Sequence, residues 1–532
     1  MTAEADKLQA IHRVLIGFNK RAERSSEAIL VATFVDSAPL FDLLSTTNNQ
    51  VIYGRRGTGK THALKYLAEF VERRGDHPIY LDLRAVGSNG SIYSDDSRPL
   101  SERASTLIVD VLSGLFDELY GMALALIERH PNPEEVTRRI DDLQSAISTI
   151  RIAGTTEVED TNASSQTSSK GLGMKFGLRQ NPSSSFEANL NTAEQNNITR
   201  RVRRTGGEIV HLSFGNIAAS VGNLVDILRP TARIWLLIDE WSEIPIELQP
   251  YLADLLRRTL LPLNEITIKV AAIEHRSAFA ISKEQGEYIG LELGADVSAD
   301  LNLDDFLVFD NSQEKSTDFV KALIFKHYQS SEEDVAQFAT ADQFIQTAFT
   351  QYPVFEEFVR AVEGVPRDAL NLAAKVAVKA FGQRIAMNHV RAAARDWYNQ
   401  DKAAAIRGNP ELGELLAYIV DQVIAGRRAR AFLFPSSVRH NGIERLFDSR
   451  LLHILKKNVS SHDQPGRRFD VYKIDYGCFV ELINTTKAPA GLFEIEGEGF
   501  VDVPRDDYRS IRRAILNPED IPGAWGTKEQ KT

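Results

Sequence analysis

Gly54, Gly57, Gly59, Lys60 and Thr61 fall within the stretch VIYGRRGTGKTHAL, residues 51–64, between an apolar dipeptide and an amphipathic run. With Thr58 inside the loop, they satisfy the pattern G-x-x-x-x-G-K-[ST]. Glycine lets the backbone curl so that successive N–H groups face one anion, and a helix starting near Lys60 adds its positive end. That is the chemistry of a triphosphate. Lys60 reaches the β and γ phosphates as a point charge, and Thr61 places its hydroxyl on a Mg²⁺. The expected cofactors are ATP and Mg²⁺.

A phosphate loop by itself does not establish hydrolysis, because a carboxylate must hold the metal and another group must orient water. IWLLIDE, residues 234–240, supplies both. Five apolar residues read as a buried strand, Asp239 emerges at its end to join Thr61 on the metal, and Glu240 is placed to polarise the attacking water as general base. The doublet predicts an active ATPase with Lys60, Asp239 and Glu240 in its catalytic set.

These groups need elements to hold them. Apolar residues at Ala63, Leu64, Leu67 and Phe70 follow helical spacing, so the glycine loop joins a strand end to a helix. Strand-like HPIYLDLRAVG (77–87), helical EIVHLSFGNIAASVGNLVDIL (208–228), ARIWLLIDEW and ITIKVAAIEH (266–275) continue the alternation, which implies an α/β fold with a parallel sheet flanked by helices. An insert at about 90–207 is helical at first and then rich in Ser, Thr, Asn and Gly. Alternation across 172–190 reads either as a two-stranded hairpin or as a surface loop. Residues 302–405 read as helical. Beyond them, LGELLAYIVDQVIAG and IERLFDSRLLHILKK read as helices and FDVYKIDYGCFVEL as a strand.

Composition sets the outer limits. The chain has 532 residues, 43% hydrophobic and 25% charged, with a formal charge of -11. This is the profile of a multidomain globular protein, not a disordered or fibrous one. Cys478 is its one cysteine, so no intramolecular disulfide or multi-cysteine zinc site is available, and His453 and His462 add no metal-ligand spacing. The amino terminus lacks a secretory apolar core and apolar runs such as IWLLI are too short to span a bilayer, so a cytoplasmic protein without membrane contact is expected.

The order of phosphate loop, insert, apolar strand with Asp-Glu and helical region resembles the AAA+ class of ATPases. EGVPRDALNLAAK (363–375) looks like that class's sensor-two motif, which implies that Arg367 opens a lid helix and reaches the nucleotide. The resemblance puts sensor one at Glu274, His275 or Arg276. It also implies an arginine offered to a neighbouring subunit, with Arg257, Arg258 and Arg276 as candidates by position. FVDSAPLFDLLSTTNNQVIYGRRGTGKTHALKYL (34–67) and LLIDEWSEIPIELQPYLADLLRR (236–258) resemble more specifically the origin recognition complex type, in its bacterial members. The implied architecture is a P-loop AAA+ core over 1–300, an α-helical lid over 301–408, a C-terminal winged-helix-like domain over 409–487 and a tail over 488–532.

Residues 424–475 hold eleven Lys or Arg against five acids, a basic patch in an acidic chain. KKNVSSHDQPGRRFDVYKIDYG has a glycine turn between a helix and a strand that resembles the wing of a winged helix. Lys456, Lys457, Arg467 and Arg468 then fall where such modules meet phosphates, and Arg445 and Arg450 lie on a helix suited to a major groove. The leading expectation is an ATP-hydrolysing switch that forms homo-oligomers or joins partner ATPase subunits and binds double-stranded DNA. For a bacterial chain, the resemblance points to mobile-element or antiphage defence biology. The alternative is a signalling ATPase that senses a trigger and controls a separate effector protein, with the winged helix used for packing. A third reading is an assembly scaffold with vestigial chemistry.

Overall fold

The computed structural model describes residues 3–18, 25–37, 39–86, 93, 95–128, 130–148, 150–161, 199–210, 212–228, 232–282, 287–306, 313–331, 338–427, 429–460, 466–483, 514–523, 525 and 527–529. In chain order the strands are β1 (Gln50–Tyr53), β2 (His77–Asp82), β3 (Ile150–Thr161), β4 (Thr199–Val210), β5 (Ile234–Asp239), β6 (Ile266–Ala272), β7 (Ala280–Ser282), β8 (Tyr288–Gly290), β9 (Ser298–Asn302), β10 (Ala431–Pro435), β11 (Val438–His440), β12 (Leu452–Ser460), β13 (Arg468–Ile474) and β14 (Thr527–Glu529). Two compact units emerge. One comprises Met1–Ala85, Thr231–Pro250 and Asn264–Thr532, and the other Val86–Pro230 and Tyr251–Leu263.

In the first unit a sheet runs β2-β5-β6-β1-β9 with every neighbouring pair parallel. β1, β5 and β6 are buried at every position, so their sequences run apolar without alternation, as strands covered on both faces do. Register then fixes where the chemistry emerges. Ile52 lies opposite Ala271 and Ile238 opposite Val270, which levels Asp239 with Ile52 two strands away, roughly 10 Å across the sheet. The helix Lys60–Glu72 follows β1. It buries Ala63, Leu64, Leu67 and Val71 in a core shared with Ile52, Leu237 and Ala271, and this packing anchors its first turn beside the strand end.

The helices Gln313–Gln329, Ala341–Ala348, Tyr352–Val362, Pro366–Lys379 and Met387–Trp397 share a separate core containing Val320, Phe344, Phe358, Val376 and Val390. Leu8, Ile11 and Val14 of the amino-terminal helix Ala3–Gly17 belong to that core as well.

The C-terminal part of this unit differs from its sequence reading in three places. IERLFDSRLLHILKK is not one helix: the helix Asn441–Asp448 stops, Arg450 turns the chain at φ 62, and Leu452 starts β12. FDVYKIDYGCFVEL divides into β13 and the helix Tyr476–Ile483, whose start Asp475 caps by accepting from the N–H groups of Gly477 and Cys478 at 3.0 and 3.3 Å. The glycine turn with Gly466 at φ 88 therefore lies between two strands, β12 and β13. These form an antiparallel sheet in the order β10-β13-β12 over a core of Leu415, Phe432, Leu446, Leu452 and Phe469.

The second unit holds the helices Leu100–Ile127, Pro133–Ile147 and Phe214–Leu228 with an antiparallel pair of β3 and β4, registered from Ile150↔Val210 to Thr161↔Thr199. Asn132 caps the second helix by accepting from the Glu135 N–H. The stretch expected to be helical from 208 continues β4 to Val210 and turns helical at Phe214. The hairpin expected at 172–190 lies outside the described residues. No described helix is long and apolar enough to cross a membrane.

Candidate nucleotide site

The loop after β1 has the backbone its glycines were expected to provide. Gly57 and Gly59 sit at φ 92 and 96, where a side chain is strained. A Cβ on Gly54 would lie 2.5 Å from Thr58 Oγ1, and one on Gly57 would lie 3.0 Å from Arg367 Cβ. Thr58 is buried and donates through Oγ1 to the Arg55 carbonyl at 2.9 Å. Lys60 crosses the loop, with Nζ donating to the carbonyls of Gly54 at 2.6 Å and Arg55 at 3.2 Å. Burial pushes its ammonium below the usual lysine value, while Glu240, Asp239 and Asp304 pull in the opposite direction. An incoming phosphate offers Lys60 a full charge in place of two carbonyl dipoles.

Asp239 is fully buried at the end of β5. One carboxylate oxygen accepts from the Tyr80 hydroxyl at 2.6 Å and the other from the Glu240 N–H at 2.8 Å, so its orientation is set from both sides. Glu240 takes a left-handed conformation, φ 57, which swings its side chain out of the strand direction. Burial raises the Glu240 carboxyl above the usual value, and the Asp239 charge adds to the shift. A carboxyl displaced in this way is suited to take a proton near neutral pH.

A cleft of about 320 Å³ brings these groups together. Gly57, Gly59, Lys60, Thr61, Glu240 and Arg367 all line it. The Arg367 N–H donates to the Gly57 carbonyl at 3.1 Å, which ties the start of the helix Pro366–Lys379 to the phosphate loop. Leu30, Leu323 and Leu370 give the same cleft apolar wall, beside the imidazoles of His62 and His327. His62 Nε2 donates to the Leu30 carbonyl at 2.7 Å, and burial lowers the pKa of His327 to about 4, so this wall stays uncharged at neutral pH.

Sequence reading missed Arg84, Arg56 and Glu243, which also line the cleft. Arg84 lies 3.4 Å from Glu240 and 2.6 Å from Asp82, and Arg56 pairs with Glu243. A signal for Arg84 was present: β2 registers Asp82 against Asp239, so whatever follows Asp82 emerges next to Glu240.

Other expected residues go elsewhere. None of Glu274, His275 and Arg276 lines the cleft. Glu274 accepts from Asn302 at 3.2 Å and from Lys457 at 2.9 Å, His275 lies 3.7 Å from Glu444, and Arg276 pairs with Asp448 at 2.8 Å. Arg257 and Arg258 both pair with Asp254, at 2.8 and 2.7 Å, in the second unit. Arg445, Lys456, Arg467 and Arg468 are exposed. Arg450 is turned inward, pairing with Asp368 and lying 5.8 Å from the Trp397 ring, because the left-handed turn that ends its helix directs it there.

The ORC-CDC6-like family model matches residues 18–76, the segment that carries the phosphate loop, so the resemblance drawn from the sequence holds there. No curated protein matches the chain. Among solved structures it is similar to a Walker-type ATPase of Pyrococcus abyssi, at 11% identity and a TM-score of 0.38, covering 84% of this chain and 95% of that one. It is also similar to the Aeropyrum pernix ORC1 protein in complex with DNA, at 13% identity and a TM-score of 0.32, covering 86% and 94%. A third is Cdc6p from Pyrobaculum aerophilum, at 10% identity and a TM-score of 0.31, covering 86% and 97%. These likenesses are distant, and the α/β fold rests on the strand order and register described above.

Proposed function

We propose that this protein is an ATP-hydrolysing switch whose nucleotide state sets the position of the helix Pro366–Lys379. The observation that carries this reading is the convergence of Lys60, Thr61, Glu240 and Arg367 on one cleft. The loop amides and Lys60 hold the phosphates, while Glu240 takes the proton of the attacking water. Arg367 senses the γ phosphate from the helix start. The residues present fit a metal: Thr61 and the pinned carboxylate of Asp239 would hold Mg²⁺, which would supply neutralisation of charge on the phosphoryl oxygens. The apolar wall with two neutral imidazoles suits the base. Glu240→Gln is expected to lower turnover at least 100-fold while ATP stays bound, and Lys60→Ala to abolish retention. Steady-state turnover together with ATP binding checks both. Unchanged turnover in Glu240→Gln supports the scaffold reading.

The switch is further proposed to assemble into oligomers, to act in the cytoplasm and to contact double-stranded DNA through the winged-helix-like module, in mobile-element or antiphage defence. Arg445, Lys456, Arg467 and Arg468 support DNA contact by their exposure. One observation favours the alternative, a signalling ATPase acting on an effector protein: Arg450 and Lys457 are committed to Asp368 and Glu274.

A further inference from the structure

Arg55 is the second residue of the phosphate loop, yet its side chain points away from the cleft and is 3% exposed. Its backbone N–H donates to Asp304 at 2.8 Å and its Nε to the other oxygen of the same carboxylate at 2.7 Å. Its Nη1 donates to the Leu452 carbonyl at 3.1 Å and to His453 Nδ1 at 3.0 Å, and the guanidinium lies 4.7 Å from the Phe447 ring. An arginine has no acceptor, so His453 accepts at Nδ1 and carries its proton on Nε2. That proton is donated to Asp475 at 3.2 Å. Asp475 also accepts from Lys402 Nζ at 2.5 Å, and Lys402 reaches Asp368 at 3.2 Å. Asp368 directly follows Arg367, whose N–H is bonded to Gly57 of the same loop. The side chains of His453, Asp475, Lys402 and Asp368 are each no more than 3% exposed.

The contacts therefore close a ring that leaves the phosphate loop at Arg55 and returns to it at Gly57. On the way it passes through β12, the residue capping the last described helix, and the start of the helix that carries Arg367. A packed surface accommodates small shifts, but directional bonds between buried charges do not stretch, so moving one member of the ring forces another to move or break.

We propose that Arg55 and His453 are positioning residues that couple the shape of the phosphate loop to the C-terminal module, so that nucleotide in the cleft changes the opening of β12 and the module in turn changes nucleotide affinity. This inference rests on the nucleotide reading of the cleft. Coupling of this kind is reciprocal and typically amounts to a 5- to 150-fold change in affinity.

Three full-length proteins test it: wild type, His453→Leu and His453→Gln. Glutamine offers one acceptor and one donor on a planar group and so replaces both bonds of the imidazole, whereas leucine offers neither. Amide exchange of residues 446–455 and 474–478 is measured with and without a non-hydrolysable ATP analogue, alongside the affinity for that analogue. In wild type and His453→Gln the analogue is expected to slow exchange several-fold. In His453→Leu the analogue still binds, at least 5-fold more weakly, and exchange no longer responds. Asp475→Asn, which breaks the ring one member further on, is expected to behave like His453→Leu and serves if that variant does not fold. Wild-type affinity and response in both broken variants overturns the coupling alone. Absence of analogue binding by the wild type overturns the nucleotide reading and the coupling with it.

Discussion

At the scale of single residues, the cleft is defined by which side chains carry charge at neutral pH. Asp239, pinned by Tyr80 and the Glu240 N–H, has an orientation it does not need to find on binding a ligand. His327 shows the same environment acting on a base. Burial, with a smaller contribution from His62, holds its folded pKa at about 4 against 6.5 in the unfolded chain. The sign follows from that depression. Above pH 6.5 both states are neutral there, and as pH falls from 6.5 towards 4 the unfolded chain takes up a proton that the folded chain refuses, so stability is lost across that window. Urea unfolding at pH 7 and pH 5 is expected to show a decline that His327→Gln makes shallower, by at most about 1.4 kcal/mol per pH unit. An unchanged slope in the variant means that His327 is protonated in the folded state.

At the scale of elements, the phosphate loop and the Asp-Glu strand end were legible because each is a contiguous string whose spacing alone imposes its geometry. Residues 449–460 were not. RLLHILKK satisfies helical and extended spacing equally, and its choice of strand is made by pairing with β13, across the turn containing Gly466. The ring through Arg55 was illegible for the same reason, since its members lie between 55 and 475 in the chain and only folding brings them together. Gly57 is where element and loop meet. Alanine there is expected to strain a backbone at φ 92 and to press on Arg367 Cβ at 3.0 Å and Val365 Cγ1 at 3.1 Å, displacing the start of the helix Pro366–Lys379. The expected outcome for Gly57→Ala is a loss of about 1–3 kcal/mol of stability with at least 10-fold weaker ATP binding. Thermal unfolding and ATP titration check it. Gly59→Ala serves as the comparison, because that glycine has the same strained φ of 96 with open space around its Cβ, and so carries the backbone cost without the clash.

At the scale of the whole molecule, charge is divided unevenly. A chain at -11 is repelled by a polyanion at long range, so any DNA contact must rely on a local basic surface. The fold separates the candidates by what they already bind. Arg450 is engaged by Asp368, whereas Arg445, Lys456, Arg467 and Arg468 are exposed. Each phosphate neutralised contributes about 0.9 to the slope of log affinity against log salt. If Arg467 and Arg468 contact phosphates, replacing both by Gln is expected to weaken retention of a duplex by the full-length protein and to reduce that slope by about 2. Arg450→Gln, which removes a charge facing inward, leaves the slope unchanged even if it lowers stability. Duplex titrations across a salt series distinguish the cases: a slope that ignores Arg467 and Arg468, or no retention at low salt, assigns the exposed basic residues to a protein partner and favours the signalling ATPase.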